Sequence, residues 1–157
     1  MAKKPTGPSV EFEVRGSRQA ALDLRELGLR ARDVRPVGRA LQLIFLHGEQ
    51  RRFATRAGGE WPELADSTVQ NKLRQGQRTE VLRASDALYR SLTQMGASGQ
   101  LKVIRQGEIR FGTTIDYAHF ALGTVHEPAR PPIGLRAVDM RAMTTVLSKH
   151  ITRKRSE

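Results

Sequence analysis

Leu101-Lys102-Val103-Ile104-Arg105-Gln106-Gly107-Glu108-Ile109-Arg110-Phe111-Gly112 is the stretch that decides the fold. Two short runs rich in β-branched and apolar residues flank Gln106-Gly107, a two-residue step of the kind that closes a tight hairpin. Upstream of it the spacing of apolar residues is three to four, which is helical. Val34, Val37, Leu41, Ile44 and Phe45 form one stripe, predicting a long helix from Asp33 to Phe53 with Pro36 in its first turn. Arg35, Arg39, Gln42 and Glu49 fall on the opposite, polar face, and Gly48 weakens the pattern.

The remaining elements follow from there. Val10 to Val14 alternates apolar and charged residues, predicting a strand closed by Gly16. Ser17 caps a helix with Ala21, Leu24 and Leu27 on one face and Gly28 as its stop. Arg56 to Glu60 is a flexible break before Trp61-Pro62. Asp66 or Ser67 caps a short helix carrying Val69 and Leu73, which Gly76 ends. Another helix begins near Ser85, with Leu88, Leu92 and Met95 on its buried side. After the hairpin, Asp116 to Thr124 is turn-rich, and Pro128, Pro131 and Pro132 hold an extended segment. A final helix fits Leu135 to Ile151, with Val138, Ala142 and Val146 in register. The expectation is an α+β fold: a small antiparallel sheet packed with several helices, a long one in the N-terminal half and one at the C-terminus. One domain spans 1–157, with a flexible N-terminus at 1–8 and a basic tail at 152–157.

Net charge is +11 and the pI about 11.1, which points to a polyanionic neighbour, nucleic acid or an acidic protein surface. An arginine-rich genome explains the excess equally well. Apolar residues make up 38% and aromatics 5%, fitting a thin core and inter-subunit surface better than a deep enzyme. With no cysteine, disulfides and thiolate metal sites are excluded. Met1-Ala2-Lys3-Lys4-Pro5 has no apolar run behind its lysines, and the longest apolar stretch, Leu41 to Leu46, is interrupted by Gln42. Neither a signal peptide nor a membrane span is expected.

The chemistry-bearing residues do not assemble into a motif. His47, His119, His126 and His150 lack the close pairing of zinc ligands, although His119 and His126 share one stretch. No Gly-x-Ser-x-Gly elbow, P-loop or dinucleotide fingerprint is present, and Asp116 and Glu127 are isolated carboxylates. Neither an enzyme nor a cofactor is expected; a small hydrolase using His119 or His126 is the weaker alternative. Trp61, Tyr89 and Tyr117 have the chemistry to stack on bases, but packing roles are preferred.

The order of several short pieces resembles a known family. A helix runs to Arg52-Phe53, a glycine-rich step leads into Trp61-Pro62-Glu63-Leu64, and Thr68, Lys72 and Val81-Leu82 follow. Next come Leu88 with Ser91-Leu92, then Phe111-Gly112-Thr113, Tyr117-Ala118, Gly123-Thr124, and Pro128-Ala129-Arg130-Pro131-Pro132-Ile133-Gly134. From Val34 to Ile151 this resembles the virion morphogenesis (tail-completion) family of phages, and more distantly the neck or tail-component family of long-tailed phages. Asp86 stands near a position where that family commonly has glycine, and His119-Phe120-Ala121-Leu122-Gly123 departs from the family's histidine-or-glutamine with glycine after the tyrosine-alanine pair.

The resemblance implies a structural protein of the head–tail junction, made in the host cytoplasm and carried in the virion. It would form a homo-oligomeric ring, expected as a hexamer, against connector, stopper and tail-tube proteins, with DNA crossing the lumen unread. Loops Arg56 to Glu60 and Asp116 to Glu127 are the candidates for subunit contacts. The alternative is a non-specific nucleic-acid-binding protein. Among the motif residues, Trp61 is expected to anchor its loop on the core, and Gly112 and Gly123 to supply backbone geometry that other residues resist. Arg130, between prolines, is expected to pair with an acidic group in its own subunit or a neighbour.

Overall fold

A computed structural model describes residues 17–123 and 128–153. The predicted strand at Val10 to Val14, the N-terminal arm, His126, Glu127 and the end of the basic tail lie outside them. Among the described residues the chain forms α1 (Ser17–Arg32), α2 (Gly38–Ala54), α3 (Asp66–Arg74), α4 (Ala87–Thr93), β1 (Gln100–Arg105), β2 (Glu108–Thr113) and α5 (Ala137–Thr152). This is an α+β fold, with one antiparallel hairpin set among helices. Strand register runs from Gln100 opposite Thr113 to Arg105 opposite Glu108, and Gly107 closes the turn at φ 74°.

Helix α2 runs through the centre. Pro36 lacks the N–H a helix interior needs, so Arg35–Val37 forms a 3-10 turn and the α-helix starts at Gly38, five residues later than expected. Gly38 lets the hairpin close in, because a Cβ there would lie 2.6 Å from Ile104 Cγ2. Phe45 stacks on Phe111 with centroids 5.6 Å apart, and Phe53 meets the edges of Trp61 and Tyr89 at 5.1 and 5.2 Å. With Leu46, Val81, Leu88 and Leu92 these form the core. Burying one such side chain contributes on the order of 2 kcal/mol.

Several local expectations are corrected. Gln42 and Glu49 are not on a solvated face: they are 1% and 0% exposed, because they share the packed face of α2 with Phe45, Leu46 and Phe53, while Arg39, Leu43, His47, Gln50 and Arg51 face water. Gly28 does not end α1, which continues to Arg32, and Leu24 is 69% exposed. Met95 lies beyond the end of α4 and is half exposed. Asp66 is the first residue of α3 rather than its cap, where its charge suits the helix dipole. On α5 the buried residue is Asp139, while Val138 is 49% exposed. Arg56 to Glu60 is a defined turn, with left-handed backbone at Arg56, Ala57, Gly58 and Gly59.

Candidate functional site

The proline-rich segment 128–134 is a strap, and most of the motif residues converge on it. Trp61 is 2% exposed, and its indole Nε1–H donates to the Pro131 carbonyl at 3.1 Å. Arg52 donates to that same oxygen at 3.3 and 3.2 Å, and its guanidinium lies 5.5 Å from the Trp61 ring centroid. Arg130 reaches back across the other side, donating to the carbonyls of Pro62 at 3.0 Å and Glu63 at 2.9 Å. Its partners are thus backbone oxygens of its own subunit, not the acidic group expected of it. Prolines leave these carbonyls without a regular ladder, and cationic donors fill the gap.

Gly123 has φ 90° and ψ 157°, and a Cβ there would lie 2.9 Å from the Ala129 backbone; the strap crosses it at van der Waals range. Gly112 is different. It sits in β2 opposite Leu101, and a Cβ would make ordinary contacts at 3.6 Å with Leu101 and 3.7 Å with Ile133. Its special geometry was expected and is not required. Tyr117 lies at the edge of the strap region with its hydroxyl accepting the Leu88 N–H at 3.2 Å, which satisfies a free donor at the start of α4.

Sequence reasoning missed the polar group beneath the strap. Glu49 Oε1 accepts the Gly134 N–H at 3.0 Å, and Oε2 has no partner among the described residues. Burial raises its pKa from 4.5 to about 7, opposed by the Gly134 hydrogen bond and the Arg52 charge and reinforced by Asp139. Asp139, in the first turn of α5, is 2% exposed under the half-exposed side chains of Arg51 and Arg136, at 2.6 and 3.1 Å. Burial pushes its pKa up, but the Arg136 hydrogen bond and the charges of Arg136 and Arg51 outweigh it and hold the pKa below the ordinary value. Gly48 permits this, since a Cβ would sit 3.3 Å from the Asp139 carboxyl. The signal was in the sequence: Gln42 and Glu49 lie seven apart, in register with Phe45, Leu46 and Phe53.

Beside the strap runs a groove of about 540 Å³, walled by Leu64, Leu82, Leu88, Phe120 and Pro128, with Lys72 and Arg130 at its margin. Lys72 donates to the Glu80 carbonyl at 2.9 Å; burial draws its pKa down, and the nearby Arg130 charge adds to this. From Tyr117 to Met140 the surface exposes Tyr117, Phe120, Leu122, Ile133, Leu135, Val138 and Met140 at 39 to 61%.

Among the described residues no three acidic or imidazole side chains cluster to hold a metal. His119 bonds the Asp116 carbonyl, His150 Nε2 lies 2.7 Å from the Asp33 carbonyl, and His47 is exposed on α2. Ser91 is fully buried, donating to Leu88 O and sharing a hydrogen bond with Thr113, so its hydroxyl does not face solvent. No described helix is long and apolar enough to cross a membrane. No family model matches the chain, and no curated protein or solved structure is detectably similar to it.

Proposed function

We propose that this chain is a structural protein of the head–tail junction of a long-tailed bacteriophage, a neck, tail-completion or tail-terminator component that assembles into a ring around the DNA channel. The observation that supports it best is the surface from Tyr117 to Met140. Trp61 and Arg52 donate to its strap, Glu49 accepts from it and the strap's Arg130 donates to Pro62, yet its large apolar side chains point to water. A run of exposed apolar residues on a braced backbone suits a face that another subunit covers. A ring needs heterologous contacts, in which that face meets a different patch on the next copy. Copies of the chain, connector or stopper proteins and the tail tube are the partners this reading requires, and the chain acts without catalysis or cofactor.

The charge of +11 favours a second reading, a free non-specific nucleic-acid-binding protein. Quantitative mass spectrometry of gradient-purified virions separates the two. A junction ring is present at a few copies per particle, and antibody labelling falls at the head–tail boundary. Absence of the chain from complete virions, with abundant free protein in the lysate, would sink the ring.

A further inference from the structure

Helix α1 carries a feature that the strap and groove do not use. Arg18, Arg25 and Arg32 are seven residues apart, so they fall in one stripe along the helix, successive side chains about 10.5 Å apart. All three are exposed, and none forms an ion pair among the described residues. The acidic residues of α1 are occupied elsewhere: Asp23 accepts from Gln19 at 2.9 Å, and Glu26 pairs with Arg30 at 2.8 Å. Arg30, on the inner side, donates to the Ile151 carbonyl at the end of α5.

Gly28 lies on the same face, between Arg25 and Arg32. Among the described residues nothing comes within 4 Å of where its Cβ would be, so none of their packing demands a glycine. In a helix interior glycine costs about 1 kcal/mol relative to alanine. Its effect here is a shallow concavity lined by Arg25, Gly28, Leu29 and Arg32. The stripe ends at Arg32, whose carbonyl faces Gly107 at the hairpin tip.

We propose that this outer face of α1 is a duplex-DNA contact surface, in which Arg18, Arg25 and Arg32 bind backbone phosphates and Gly28 admits the backbone closely. A guanidinium fork matches phosphate oxygens, and regularly spaced cations without base-reading side chains give sequence-independent contact. The inference rests on the channel-ring reading for the source of phosphate. The exposed Leu22 and Leu29 flank the stripe and would be covered by an acidic protein helix but not by phosphate, so that partner is the competing outcome of the test.

The test is fluorescence anisotropy of the full chain with a mixed-sequence duplex of about 30 base pairs, between about 50 and 200 mM salt. Wild type is expected to bind weakly and independently of sequence. The Arg18→Ala/Arg25→Ala/Arg32→Ala variant should flatten the slope of log K against log salt by about 2 to 3. A control of equal charge, Arg39→Ala/Arg74→Ala/Arg90→Ala, should leave the slope nearly unchanged, with circular dichroism showing both variants folded. Three results would overturn the proposal: no duplex binding by wild type, equal loss in the control, or poly-glutamate displacing duplex at matched charge, which would assign the face to an acidic protein. Chain found in virions without duplex binding would sink only the α1 surface. Duplex binding with the chain absent from virions would sink only the ring.

Discussion

Glu49→Gln should change how stability depends on pH. In the native protein Glu49 is 0% exposed, and its pKa rises from 4.5 to about 7 because burial penalises the charged form. A group whose folded pKa lies above its unfolded value favours folding most below the unfolded pKa. That advantage is lost as pH climbs from about 4.5 through about 7. At about 1.4 kcal/mol per pH unit, the full loss is about 3 kcal/mol, of which about 2.5 falls between pH 5 and pH 8. Glutamine is the non-titrating isostere: its amide oxygen can still accept the Gly134 N–H, while its NH2 group brings two donors where the protonated carboxyl brings one. The difference in unfolding free energy between variant and wild type should therefore shift by about 2.5 kcal/mol in the variant's favour between pH 5 and pH 8. Urea melts followed by circular dichroism, with wild type and variant compared at each pH, cancel every other titrating group. A difference that stays flat within about 0.5 kcal/mol from pH 5 to 8 would refute the buried, electrostatically costly carboxylate.

Trp61→Ala removes a fully buried ring and the donor to Pro131, and should cost about 3 to 5 kcal/mol in urea unfolding; a cost below about 1 would mean the ring is not packed. Gly123→Ala should cost about 1 to 3 kcal/mol, from its positive φ and its overlap with Ala129, whereas Gly112→Ala should stay within about 1 kcal/mol of wild type. Equal effects at the two glycines would contradict the distinction. Arg130→Ala unpins the strap from Pro62 and Glu63, and limited proteolysis should cut within 128–134 faster than in wild type.

The hairpin was legible because its two runs flank a tight glycine turn, and α2 because its apolar stripe is long. What residue type hid was that two polar residues share the packed face. Gln42 and Glu49 fall among Phe45, Leu46 and Phe53 on the side of α2 that meets α4, α5 and the hairpin, and are buried with them, while Arg39, Leu43, His47 and Gln50 face water. Glycines misled in both directions. Gly28 sits where a stop signal is usual, yet α1 continues, since a mid-helix glycine costs only about 1 kcal/mol and does not break a helix. Gly48 looked like a weakness and is the point where Asp139 approaches α2. Trp61 and Arg130 stood out by residue type, but their shared attachment to the strap depends on chain neighbours about 70 residues apart, which no local pattern encodes.

Electron microscopy of lysates from a phage whose copy of this gene is disrupted tests the junction role most directly. The role predicts DNA-filled heads beside separate tails, or tails of uncontrolled length, with restoration when the gene is supplied in trans. Normal numbers of complete, infectious virions would contradict it.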